Sequence, residues 1–206
     1  MPRPYRLGAR KASTEETRAR VVAAAHELLA TSASPVGFSI DDVARTADVA
    51  RMTVYYQFGS KAGLLEAVFD DLAAKGGMHE LASVFQKSDP LEGLDEFVGV
   101  FCRFWASDPM IFRRLRALAT LDPDLERALS SRDQWARQGL RVLLGRLAAE
   151  HSRPAPDNIE LAAVLFTLIS FQTFDTLQSQ MGAGPEEIAA VIRRLARCAL
   201  EGIQRS

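Results

Sequence analysis

Apolar positions recur at three- and four-residue spacing through most of the chain, and strict alternation of apolar and polar residues is sustained nowhere. This periodicity predicts an all-α protein of about nine helices. The first opens at Ser13, with Glu16 three residues later, and runs to about Ala30 with Val21, Val22, Ala25, Leu28 and Leu29 inward. A second starts at about Ile40, with Ser39 as its cap, Asp42 at the capping-box position and Phe38 placed to staple onto Val43. Its inward set is Ile40, Val43, Ala44 and Ala47. Asp48 and Val49 make a tight turn, after which a third short helix turns Val54 and Phe58 inward. Ser60 caps a fourth helix carrying Leu64, Leu65, Val68, Phe69 and Leu72. Gly76-Gly77 predicts a kink or split before Leu81, Val84 and Phe85 resume the spacing, since glycine inside a helix costs about 1 kcal/mol relative to alanine. Beyond Pro90 the helical stretches are Leu91 to Ala106, Met110 to about Thr120, Asp124 to His151, Asp157 to Met181 and Pro185 to Gln204, separated by Pro-, Gly- and Asp-rich connections.

The run SIDDVARTADVARMTVYYQFGSK, Ser39 to Lys61, therefore reads as two short helices joined by a tight turn, the pattern of a helix-turn-helix. With Val54 and Phe58 inward, the third helix leaves Arg51, Met52, Thr53, Tyr55, Tyr56 and Gln57 for a DNA groove. Charge agrees with this placement. Residues 1–61 hold nine Lys or Arg against six Asp or Glu, and residues 62–206 hold sixteen against twenty, so a basic head precedes an acidic body although the net charge is only −1.

The turn, the stretch Tyr55-Tyr56-Gln57-Phe58-Gly59-Ser60 and Lys61 at the next helix start resemble the tetracycline-repressor (TetR) family, with the likeness running roughly from Thr14 to Phe69. The chain departs from the family pattern at Asp48, where glycine is common in the turn, and at Ala50, where a serine often caps the reading helix. Asp visits left-handed conformations readily, whereas Ala50 forfeits a side-chain cap worth about 1 kcal/mol. The resemblance implies that Arg51, Met52 and Thr53 approach base edges and that Tyr55, Tyr56 and Lys61 touch phosphate, with Ser39 and Gln57 as further DNA contacts. Arg51 is the best guanine reader, because two parallel donors match the O6 and N7 acceptors.

A chain of 206 residues with 48% hydrophobic residues can build a large core, and the expected division is a DNA-binding head at 1–60 with a basic arm and an effector-binding, dimerising body at 61–206. Met1 to Ala12 reads as an unfolded arm, either a solvated tail or a phosphate or minor-groove contact. Cys102 and Cys198 lack metal or disulfide spacing and read as reduced core thiols. No apolar run reaches the 18 or so residues of a membrane span and no hydrophobic signal core is present, which predicts a cytoplasmic protein without membrane partners. His26, His79 and His151 lack metal spacing, and no GxSxG, Walker-A or dinucleotide motif occurs, so neither an enzyme, a metal site nor a cofactor is predicted.

In the body, Phe101, Phe104, Trp105, Phe112, Trp135, Phe166 and Phe174 are aromatics at helical spacing that serve as core or line a small-molecule site; the resemblance implies such a cavity. The last two helices carry more apolar positions than one buried face needs. Phe166, Ile169, Ile188, Val191, Ile192, Leu195 and Ala199 are the candidates for a dimer interface, as the family's four-helix dimer bundle implies. The reading is a homodimeric transcriptional regulator, a repressor that binds a palindromic double-stranded operator and responds to a small apolar or aromatic effector. The alternative is a ligand-independent DNA-binding or architectural protein.

Overall fold

The computed structural model describes residues 5–32, 34–150 and 159–204, the side chains of 5–11, 150, 203 and 204 excepted. Arg3, His151, the 153–156 loop, Asp157 and the side chains of Arg6, Arg10, Lys11 and Ile203 lie outside the described residues. Eleven α-helices and two 3-10 turns occur among the described residues, with no strand. They are α1 (Tyr5–Thr31), α2 (Ile40–Thr46), α3 (Arg51–Phe58), α4 (Lys61–Lys75), α5 (Leu81–Val84), α6 (Pro90–Ser107), α7 (Pro109–Ala119), α8 (Pro123–Glu150), α9 (Ile159–Ile169), α10 (Phe171–Met181) and α11 (Pro185–Gln204). The 3-10 turns are Pro35–Gly37 and Met78–Glu80.

Two breaks account for the difference between nine helices and eleven. Gly77 takes a left-handed backbone, φ 81°, and separates α5 from α4, where the glycine pair predicted a split. The break between α9 and α10 has no glycine or proline to announce it. Ser170 is extended, and its hydroxyl accepts from the Thr173 amide at 3.3 Å while donating to the Thr167 carbonyl at 2.8 Å. Such local side-chain bonds compete with the helix ladder. The two helices bend by 45° there. The Ile169 carbonyl at the break accepts from Trp105 Nε1 at 2.8 Å, so that buried indole is satisfied.

Helix α1 begins at Tyr5, which corrects the expectation of an unfolded arm up to Ala12. Arg, Leu, Ala and Lys predominate between Tyr5 and Ala12 and all favour helix, so basic composition does not interrupt it. Ser13 consequently lies inside the helix, where its carbonyl accepts from the Thr17 hydroxyl at 2.8 Å.

The chain forms two compact units, one reaching to Asp71 and including Arg113–Leu129, the other comprising Leu72–Phe112 and the residues from Ser130 onward. The boundaries of these units fall within α4, α7 and α8. In the first unit α1 packs on α2 and α2 on α3, burying Val21, Ala25, Leu29, Ile40, Val43 and Val54. In the second, α11 packs on α6 and α9, and the fully buried rings of Phe97, Phe104, Phe112 and Phe174 each contribute about 1.5–3 kcal/mol by the usual area relation. Cys102 is buried here, and that burial pushes its thiol up to about 12. Cys198 is exposed, against expectation, because it lies off the inward stripe Ile188, Ile192 and Ala196 of α11.

No single helix among the described residues is long and apolar enough to cross a membrane. The bent pair α9–α10 passes jointly by composition, but Leu161, Leu165, Ile169, Phe171 and Phe174 are buried within their own unit.

Candidate nucleic-acid interface

The turn between α2 and α3 closes by backbone alone. The Asp48 amide donates to the Arg45 carbonyl at 3.3 Å and the Val49 amide to the Ala44 carbonyl at 3.0 Å, with Asp48 left-handed at φ 52°. That is a Schellman closure with aspartate in the position usually held by glycine. At the start of α2 the Ser39 hydroxyl accepts from the Asp42 amide at 3.2 Å and donates to Asp42 Oδ2 at 2.6 Å. This contact and the Arg45 guanidinium hold the Asp42 carboxyl below its ordinary value. Ser39, a candidate DNA contact, uses its hydroxyl once as acceptor and once as donor in capping α2.

Ala50 precedes α3 without a side-chain cap, as its identity dictates. Two other devices fix the helix. The Arg18 guanidinium of α1 lies 4.5 Å over the Phe58 ring and donates to the Gln57 carbonyl at 3.3 Å, while Gly59, at φ 73°, returns its amide to the Tyr55 carbonyl at 2.8 Å. Ser60 then caps α4 by accepting from the Gly63 amide at 3.0 Å. Close approach is required here, since a Cβ on Gly63 would lie 2.1 Å from the Phe58 carbonyl oxygen.

Val54 is buried and Phe58 half-buried, as expected of the inward pair. On the outward side Arg51, Met52 and Tyr56 are exposed, Tyr56 to 88%, while Thr53 and Tyr55 are half-buried. Lys61 is half-buried with its ammonium 5.6 Å from the Phe38 ring centre. Gln57 is half-buried, and its side-chain oxygen is buried without a hydrogen-bond partner. Arg51 is gripped rather than free. Its Nη1 lies 3.1 Å from Asp41 Oδ1, its Nη2 donates to the Tyr55 hydroxyl at 3.3 Å, and these two contacts raise its already high pKa, the tyrosine bond foremost. Asp41 and Arg18 are neighbours of α3 that periodicity does not reveal, because one reaches it across the turn and the other from α1.

In the second unit, four of the seven aromatics proposed for a ligand site meet ring on ring around Trp105. Phe101, Phe104 and Phe112 lie 6.2, 4.4 and 4.9 Å from it, centre to centre, and Phe171 adds a fourth neighbour at 5.5 Å. Phe174 is fully buried. Trp135 is 53% exposed on α8 and Phe166 is half-buried beneath the Arg137 guanidinium, 4.0 Å from the ring centre; no ring contact joins either to the cluster among those described.

The dimer candidates divide. Ile169, Ile188 and Ile192 are buried within the chain, at 2% exposure or less, and cannot face a second copy. On α11 the adjacent stripe Val191, Leu195 and Ala199 is left outward, with Leu195 45% exposed, and Phe166 remains half-exposed. Two neighbouring apolar stripes, one used inside the chain, explain the surplus seen in the sequence.

Residues 21–68 match the model of the bacterial regulatory proteins of the tetR family. The chain is 25% identical over 191 residues to the HTH-type transcriptional regulator EthR of Mycolicibacterium smegmatis, covering 89% of this chain and 85% of that protein. A TetR-family transcriptional regulator from a Rhodococcus species superposes with a TM-score of 0.71 at 17% identity, covering 89% of this chain and 98% of the other. NalD of Pseudomonas aeruginosa, described as the secondary repressor of the MexAB-OprM multidrug efflux pump, does so with 0.66 at 22% identity, covering 91% and 96%. The solved structures bear on the fold, and the matched head bears on what it is for. The head, residues 21–68, therefore matches that of the tetR family of bacterial regulatory proteins, and over most of its length the chain is similar to TetR-family transcriptional regulators.

Proposed function

We propose that the protein acts as a homodimeric repressor in the cytoplasm, that it binds a palindromic operator through α3 of each head, and that a small apolar or aromatic effector releases it. The observation that carries the reading is the exposed row Arg51, Met52 and Tyr56 on a short helix held at its C-terminal end by Arg18 and Gly59. Such a helix fits a major groove about 12 Å wide. Two heads then engage half-sites about one helical turn apart or a small multiple of it.

The outward stripe Val191, Leu195 and Ala199 of α11, with exposed Val164 on α9 and Phe166, supports a two-fold contact built from these helices. The ring cluster around Trp105 supports an apolar or aromatic effector, because Trp105 also holds the carbonyl at the α9–α10 break. A compound that separates these rings acts on that break. A coupling of about 1–3 kcal/mol changes operator affinity roughly 5- to 150-fold. NalD, a repressor of this fold, favours the repressing sign.

Selection of bound sequences from random DNA tests the reading. An inverted repeat with regular half-site spacing is expected, and enrichment of no sequence contradicts it. For the effector, tryptophan fluorescence titrations should coincide with release of the selected DNA. Release without any change at Trp105 or Trp135 would place the effector elsewhere.

A further inference from the structure

We infer that Asp41 is a specificity-determining residue, whose carboxylate holds the Arg51 guanidinium in position to read a base and keeps it off the phosphates. The inference rests on the reading of α3 as the base-reading helix. Asp41 lies in the first turn of α2 and Arg51 opens α3, so only the tight turn at Asp48 brings them together. Arg51 Nη1 stands 3.1 and 3.2 Å from the two Asp41 oxygens, Nη2 donates to the Tyr55 hydroxyl at 3.3 Å, and the guanidinium carbon lies 5.5 Å from the Tyr55 ring centre. The neighbouring acid is committed elsewhere: Asp42 takes the Ser39 hydroxyl and the Arg45 guanidinium.

A guanidinium carries five N–H donors. These contacts engage one hydrogen on each Nη and leave three, while the O6 and N7 acceptors of guanine need two. Arg51 can therefore keep both protein partners and still read a base. Without Asp41, the strongest pull on an exposed arginine comes from the phosphates, which carry one charge per about 1.7 Å of duplex and bind it whatever the sequence. The carboxylate offsets that pull by partly neutralising the guanidinium and by repelling phosphate. Asp41 and Arg51 are each 57% exposed in their side chains, so their pairing is accessible to DNA and is not a core contact.

The test uses the full-length protein, its selected operator and a scrambled duplex of equal length, with Asp41→Asn, Asp41→Glu, Arg51→Ala and the double variant Asp41→Asn/Arg51→Ala. Asp41→Asn should bind the scrambled duplex more tightly, steepen the salt slope by about 1, and lower the operator-to-scrambled ratio at least about 5-fold. Asp41→Glu, which keeps the charge, should restore most of that ratio. In the Arg51→Ala background the Asp41 change should leave discrimination where Arg51→Ala alone puts it, which a merely structural role would not produce. If Asp41→Asn shifts affinity for both duplexes equally, or lowers discrimination as much without Arg51 as with it, the positioning role is overturned while α3 remains the reader. A wild-type protein that does not discriminate between the duplexes overturns the reading of α3 and this inference with it.

Discussion

Replacing Gly63 by alanine places a methyl group where the structure has no room for one. The added Cβ would stand 2.1 Å from the Phe58 carbonyl oxygen and 3.3 Å from its carbon. A carbon–oxygen approach normally stops at about 3.3 Å, so the end of α3 and the start of α4 must part by about 1.2 Å. Both sides of the clash are backbone or rigidly attached to it, and no rotamer change relieves it. Overpacking of this kind costs about 1–3 kcal/mol, of which alanine's better helix propensity returns about 1 kcal/mol. The loss of stability is therefore modest. The effect on DNA should be larger, because hydrogen bonds to bases tolerate only a few tenths of an ångström and the displaced element is the reading helix. Urea unfolding followed by circular dichroism and operator binding followed by anisotropy measure the two effects. Gly145→Ala on α8, where a new Cβ meets nothing within 4 Å, is the control and should be neutral or stabilising by about 0.5–1 kcal/mol. A Gly63→Ala protein with wild-type unfolding midpoint and wild-type operator affinity refutes the reasoning.

Arg51→Ala should lower preference at one position per half-site by about 5- to 150-fold, while Lys61→Ala weakens all sequences alike and reduces the salt slope by about 1; both are read by binding titrations at several salt concentrations. Leu195→Glu, on the outward stripe of α11, should give a folded chain that sediments as a monomer where the wild type sediments as a dimer, whereas Ile192→Glu buries an unpaired charge and should unfold the protein. A thiol reagent at pH 8 should modify Cys198 promptly and Cys102 only after unfolding, since Cys102 is 1% exposed with its thiol raised to about 12 by burial; two fast thiols in the native protein would contradict this.

The parts of the head that the sequence predicts correctly are those decided within a few residues. Ser39 and Ser60 are caps because their hydroxyls reach amides three residues on, and Asp48 is left-handed because the turn requires it there. The α9–α10 break was hidden because Ser170 and Thr173 interrupt the helix with side-chain bonds, and a serine followed by threonine fits a helix interior as well. Periodicity also could not decide which of two adjacent apolar stripes on α11 faces inward: Ile188 and Ile192 do, Val191 and Leu195 do not, and only packing on α6 and α9 distinguishes them. Trp135 misled in the same manner, because a large ring at helical spacing reads as core while the structure leaves half of it in solvent. The Asp41–Arg51 pair was invisible for a different reason, since its members sit ten residues apart on separate helices and meet only through the geometry of the turn.

The central claim is that the head distinguishes one DNA sequence from another, and competition binding at physiological salt tests it most directly. Full-length protein on its selected operator is challenged with unlabelled operator and with a scrambled duplex of the same length and composition. The account predicts that the scrambled duplex competes at least about 10³-fold less well. Equal competition by the two duplexes, within a factor of a few, would contradict it.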